Sequence, residues 1–175
     1  LLWAGAEEVG VFGGAAYAKA YASQPHALVM ESDFGADRVW NVAFDLAPAN
    51  KPLADRIKAA MAAMGIPASA EKAGGGADVR AIAALQKPGV IDLKQDGTRY
   101  FDLHHTPSDT LDKVDPAQLR QNVAAWAAMV GIVANEPGPI AGNSSANRGH
   151  CKLATGGRNS CALRKVNVDP CPAAQ

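Results

Sequence analysis

Three short apolar runs in this chain each lead into acid or histidine. Leu1–Ala6 closes on the adjacent carboxylates Glu7 and Glu8, Ala27-Leu28-Val29-Met30 leads through Glu31 and Ser32 to Asp33, and a run beginning Gly89-Val90-Ile91 is followed by His105. Runs of this length bounded by charge and turn residues read as buried strands, and stretches of helical spacing lie between them. Strands alternating with helices predict an α/β fold. In an open α/β sheet, ligands bind outside the carboxyl ends of the strands, so these acids and the histidine are expected to form a site there.

The intervening segments support that alternation. Val11 to about Ala22 is alanine-rich with Tyr17 and Tyr21 at helical spacing. Pro52 to Met64 reads as an amphipathic helix: proline suits its first turn, Leu53, Ile57, Met61 and Met64 share a face, and Gly65 suits its stop. Asp78 to Leu85 reads as a short helix with Asp78 available as its cap. Asp115-Pro116-Ala117-Gln118 opens a longer helix to about Asn135, whose Leu119, Val123, Trp126 and Val130 are expected to lie across the sheet. Arg38 to Leu46 suits an edge strand.

With 175 residues, 48% of them hydrophobic, the chain can build one domain with a real core and is too short for a second full one. Lys+Arg and Asp+Glu balance at 17 each, which gives no electrostatic reason to expect nucleic acid or an anionic membrane. No apolar stretch approaches the roughly 20 residues that span a bilayer. A peptide or other small neutral molecule is the expected partner. Residues 1–135 carry the periodic patterns. Over 136–175 glycine, serine, asparagine and basic residues replace them, and that stretch is expected to be a poorly ordered tail. Cys151, Cys161 and Cys171 fall within it, too widely spaced for a zinc finger and odd in number.

Taken singly, each candidate residue has a plainer reading: a solvated strand end for Glu7 and Glu8, a turn or cap for Asp33, a surface imidazole for His104 or His105. In combination they carry more information. Leu2-Trp3-Ala4-Gly5-Ala6-Glu7-Glu8-Val9-Gly10-Val11-Phe12-Gly13-Gly14, Glu31-Ser32-Asp33-Phe34-Gly35 and His104-His105-Thr106-Pro107-Ser108-Asp109-Thr110 resemble, in order, the acid-pair strand, the aspartate ligand segment and the His-Thr-x-x-Asp-Thr loop of the zinc exopeptidases of peptidase family M28. Glu-Glu-Val-Gly, the Gly74-Gly75-Gly76-Ala77-Asp78 loop and Gln95-Asp96-Gly97-Thr98-Arg99-Tyr100 look closest to its secreted carboxypeptidase Q-like and aminopeptidase-like branch. That loop has neither the spacing nor the lysine of a phosphate-binding loop.

The resemblance implies a zinc-exopeptidase three-layer α/β sandwich with a mixed central sheet, and a secreted or periplasmic setting. The family's upstream His-x-Asp segment and bridging aspartate have no counterpart here, so the fold is expected to be truncated on its N-terminal side. By the same resemblance Glu7 is the general base, while Glu8, Asp33 and His105 are metal ligands toward two co-catalytic zinc ions. Asp78 supports the site, Tyr100 borders the substrate, and Asp109 with Thr110 braces the histidine loop. Hydrolysis of terminal peptide bonds is the implied reaction, weak or absent in a chain with so few ligands. A glutaminyl-cyclase-like acyl transfer and a non-catalytic binding module of the same fold are the alternatives.

Overall fold

The computed structural model describes residues 1–143. At its centre β1 (Leu28–Val29), β2 (Val39–Asp45) and β3 (Gly89–Gln95) form a mixed sheet in the spatial order β1-β3-β2. β1 is parallel to β3, with Leu28 opposite Gly89 and Val29 opposite Val90. β2 is antiparallel to β3, from Val39 opposite Gln95 to Asp45 opposite Val90, and so occupies an edge as expected. The helices are α1 (Phe12–Ala20), α2 (Lys51–Ala62), α3 (Arg80–Gln86), α4 (Tyr100–Leu103) and α5 (Pro116–Ala134).

Successive side chains of a strand point to opposite faces, and central β3 therefore serves two cores. Ile91 and Leu93 pack with Leu53, Ile57 and Met61 of α2 and with Ala125 and Met129 of α5. Val90 points the other way, into a smaller cluster with Val29, Ala18 of α1 and Ile82 of α3. Helices thus cover both faces of the sheet, giving the expected α/β sandwich.

Local chemistry accounts for the helix ends. After α2 the chain turns at Gly65, whose φ of +75° favours glycine. The Gly65 amide donates to Ala62 O and the Ile66 amide to Met61 O, both at 3.0 Å, and Ile66 is buried beyond the turn. This is a Schellman closure with its hydrophobic contact. At the start of α5 the Asp115 carboxylate accepts the amides of Ala117 at 2.7 Å and Gln118 at 3.3 Å, the expected cap.

Three expectations are corrected. Leu1–Ala6 forms no strand among the described residues, and Leu1 and Trp3 stand in solvent. A strand needs a neighbour to take its backbone groups, and here Gly5 O and Ala6 O instead accept the amides of Gly13 and Phe12. The inward face of α5 is Asn122, Ala125 and Met129, while Leu119, Val123 and Val130 are exposed. The reason is polar: the Gln121 amide donates to Val39 O at 2.9 Å and accepts from Val39 N at 2.8 Å, and Asn122 donates to Asp37 O at 2.7 Å. These bonds satisfy the outer edge of β2 and rotate the helix away from its apolar stripe. Finally, the ordered chain continues past residue 135. Ala141 O accepts the Ala47 amide at 2.8 Å, Ala141 N donates to Asn50 Oδ1 at 3.0 Å, and Glu136 pairs with Arg56. The remainder of the expected tail, with all three cysteines, lies outside the described residues.

The two faces of α5 differ in a measurable way. Met129→Ala, which empties a fully buried site, is expected to cost about 2–5 kcal/mol in urea unfolding. Val123→Ala, on the exposed stripe, should stay within about 0.5 kcal/mol of the parent. Equal losses would show that the stripe faces the core.

Candidate metal centre

Parallel pairing of β1 and β3 delivers the segments that follow both strands to the same end of the sheet. Beyond β1, the Glu31 carboxylate accepts the amides of Ala77 at 3.0 Å, Asp78 at 2.8 Å and Val79 at 3.1 Å. This cradle fixes the glycine loop against the strand end, and a Cβ on Gly76 (φ +116°) would strike the Glu31 carboxylate. Beyond β3, Asp96 and Thr98 close a turn into α4. There Arg99 grips Asp37 through two of its three guanidinium nitrogens, Nη2 at 2.5 Å and Nε at 3.2 Å. Tyr100 stacks on Phe34 with ring centroids 4.0 Å apart, and His104 stacks on Tyr100 at 4.6 Å.

That ring stack ends at His105, 3.7 Å from His104. His105 Nε2 lies 2.8 Å from Glu8 Oε1, joining residues 97 positions apart. His105 has φ +57°, and the acid pair is bracketed by Ala6 at +60° and Val11 at +56°. Left-handed backbone is costly for side chains of this kind, most of all for a β-branched valine, and strain of this sort collects at functional sites. Gly13 and Gly14 complete the local geometry. A Cβ on Gly13 would meet the Gly5 backbone, and one on Gly14 would meet that of Asp78. Their absence of side chains lets α1 start directly against the acid turn and the glycine loop.

Glu8, His104 and His105 each offer one donor atom, all within 4.8 Å of one another, and form the one such group of three among the described residues. A carboxylate and two imidazoles are donors that zinc accepts, and three is the number typical of a catalytic ion. The set fits a metal. His104 enters it unexpectedly, so this end of the site has one more donor than the sequence reading assigned. Its signal in sequence was bare adjacency to His105, which ordinarily turns neighbouring side chains apart. The left-handed turn at His105 keeps the rings together.

The model of peptidase family M28 matches residues 1–130. This chain belongs to peptidase family M28. Among M28-type relatives, carboxypeptidase Q of Bos taurus is 30% identical over 137 residues, which are 77% of this chain and 28% of the bovine protein. The crystal structure of a peptidase M28 precursor from Shewanella amazonensis SB2B superposes with a TM-score of 0.73 at 39% identity, over 78% of this chain and 31% of that one. The chain therefore spans less than a third of the length of either relative.

The other expected M28 residues surround the cluster without joining it. Asp33 makes no hydrogen bond among the described residues. Burial raises its carboxyl above the usual range, and the charges of Asp78 and Glu8 raise it further, partly offset by His104. Glu7 holds the turn through its carbonyl, which accepts Gly10 N at 3.0 Å and Val11 N at 2.8 Å, and its side chain makes no hydrogen bond among the described residues. Asp78 is not the α3 cap expected of it: Val79 occupies that position, with no side-chain bond. The buried Oδ1 of Asp78 is unpaired among the described residues, and the Arg80 amide, which a cap at Asp78 could have taken, donates instead to Ala77 O at 3.3 Å. Tyr100 has its phenol raised by burial and then by Asp33, Glu8, Asp109 and Glu7. The Asp109 side chain makes no hydrogen bond among the described residues. Bracing of the histidine loop falls to Thr106, whose hydroxyl donates to Leu103 O at 2.7 Å, and to Thr110, which donates to Ser108 O at 3.3 Å.

A raised carboxyl in the folded state binds protons more tightly than in the unfolded state, so stability falls as pH rises through the interval. For Asp33 that interval opens near the ordinary value of about 3.9 and ends at its raised folded value. Asp33→Asn removes the penalty. Its melting temperature should exceed that of the parent at pH 7 without added metal and match it near pH 3. A lower melting temperature at pH 7 would contradict the assigned field.

Proposed function

We propose that this chain carries the metal-binding and proton-transferring portion of a zinc exopeptidase site that acts on short peptides. The observation that carries the reading is convergence: Glu8, from the turn before α1, meets His104 and His105, from the loop after α4, with Asp33 and Glu7 beside them. Glu8, His104 and His105 would hold the ion. Asp33 is the carboxylate available toward the second one that the sequence resemblance implies. Bound there, zinc supplies Lewis acidity and lowers the pKa of water toward neutrality.

The chain's own groups divide the remaining work. Glu7 is the free acid of the pair, and its carboxylate takes a proton from the attacking water and returns it to the leaving amine. The Tyr100–His104–His105 stack keeps both imidazoles aimed at Glu8. Asp33 and Asp78 hold negative charge against the centre, which favours a divalent cation. Carboxypeptidase-like or aminopeptidase-like cleavage, and a secreted or periplasmic setting, accompany this reading as parts of the same proposal. An exposed cluster of three donors implies modest affinity and slow turnover for this chain by itself.

Zinc titration followed by calorimetry is expected to give one equivalent per chain, with His105→Ala lowering affinity by about tenfold or more. Glu7→Gln should leave that binding intact while reducing dipeptide hydrolysis by about 10²–10⁴-fold. Zinc binding indifferent to Glu8 and His105, or hydrolysis indifferent to Glu7, would overturn the assignment.

A further inference from the structure

Next to the metal centre, between the glycine loop and the Phe34–Tyr100 stack, lies a cleft of about 520 Å³ floored by β3. That volume is in the range of small-molecule sites. Asp33 and Tyr100 belong to its lining and also neighbour His104, so the cleft adjoins the centre through these two residues. Two of its glycines are required by packing. Gly76 abuts the Glu31 carboxylate, and a Cβ on Gly97 would strike the Phe34 ring, so the walls approach as closely as bare backbone permits.

The lining has a definite electrical character. Glu31, Asp33 and Asp92 contribute three carboxylates, and Lys94 is the single cation among the lining residues. Lys94 pairs with Glu71 at 2.5 Å. The Asp92 carboxylate accepts the amides of Gly74 at 2.7 Å and Gly75 at 3.0 Å, which fixes its position without cancelling its charge. The three acids do not bring ligand atoms close enough to surround one metal ion, since the group of Glu8, His104 and His105 is the one that does so among the described residues. Dispersed negative charge over an organic-sized volume suits an extended cation. Trp40, half exposed on the wall, adds an aromatic face of the kind that attracts ammonium and guanidinium groups.

We propose that this cleft seats a basic side chain of the peptide substrate, an ammonium or guanidinium, so that the site prefers peptides carrying a lysine-like or arginine-like residue next to the bond to be cut. The proposal rests on the peptidase reading of the adjacent centre and adds a substrate class to it. Lys94 is then a specificity-determining residue, because its charge opposes the bound cation.

Tryptophan fluorescence of the full chain, compared with Trp40→Phe, reads binding without zinc or turnover. N-acetyl-lysinamide is expected to change the Trp40 signal saturably, and N-acetyl-norleucinamide, of the same length without charge, to bind about tenfold more weakly. Alaninamide, whose charge is its α-ammonium, is expected to bind more weakly than N-acetyl-lysinamide, and tighter binding would overturn the side-chain seat. Lys94→Gln, at a partly exposed position that leaves the fold intact, should tighten N-acetyl-lysinamide severalfold. Equal affinity for the lysine and norleucine amides, or no response to Lys94→Gln, would overturn the seat. Selective cation binding in a chain that neither binds zinc through His105 nor hydrolyses peptides would instead overturn the peptidase reading and leave the seat standing.

Discussion

Two residue pairs, Leu28 beside Gly89 and Val29 beside Val90, hold β1 parallel to β3. An antiparallel arrangement would send the segments after the two strands to opposite ends of the sheet. Parallel pairing sends both to one end, and five of the candidate groups follow from that: Glu31 and Asp33 from one strand, Tyr100, His104 and His105 from the other. So short a ladder cannot impose this alone. The Glu31 carboxylate reinforces it by capturing three successive amides of the glycine loop, and the Phe34–Tyr100 stack joins the two exits side chain to side chain. The geometry of the candidate metal centre is thus a consequence of strand direction, and it depends on a half-buried acid, Glu31, that is not among the donors.

The elements with strong local signals were legible in sequence. Asp115-Pro116 announces its helix because the cap and the fixed proline φ act within one turn, and Gly65 marks a stop because left-handed backbone suits glycine. Strands Val39–Asp45 and Gly89–Gln95 fall where apolar runs place them. Failures share a physical origin in partners that are distant in sequence. The orientation of α5 follows from Gln121 and Asn122 meeting β2 some 82 to 85 positions away, which no periodicity of apolar residues reports. Leu1–Ala6 has a strand's composition, but strand formation depends on a neighbour to which its amides can bond. For the site, acid pair, aspartate and histidine were each legible as motifs, whereas the Glu31 cradle and the alignment of His104 with His105 depend on three-dimensional approach alone.

Charge sets the terms on which the site exists. Glu7, Glu8, Asp33 and Asp78 lie close enough that Asp33 and Tyr100 both feel their neighbours as a reason to keep their protons. A fold selected for stability alone would disperse such acids or pair each with a cation. Elsewhere on this surface that is what happens: Arg99 pairs with Asp37, Lys72 with Asp45, and Arg56 with Glu136. Among the described residues acids without a cationic Lys or Arg partner gather at the end of the sheet where the imidazoles lie, and there a divalent cation would convert a repulsive cluster into an attractive one.

The same reasoning links the exposed stripe of α5 to the amino-terminal segment. Leu1, Leu2 and Trp3 share a cavity with Met30, Trp126 and Val130, and two polar atoms in its neighbourhood, Trp126 Nε1 and Asp78 Oδ1, are buried without a partner among the described residues. Buried polar atoms of this sort each cost free energy, and apolar side chains in solvent add nothing to offset it. Two further buried polar atoms without a partner among the described residues, Asn41 Oδ1 and Asp45 Oδ1, sit on β2, whose backbone is otherwise closed by Gln121 and its bridge to Ala68. The first two border the candidate site, because Glu31, Asp33 and Asp78 line the same cavity as Leu1, Leu2 and Trp3. Stability and the proposed site are therefore coupled there: whatever orders that cavity also narrows the positions available to Asp33 and Asp78, and with them the field in which Glu8 and the two histidines would hold a cation.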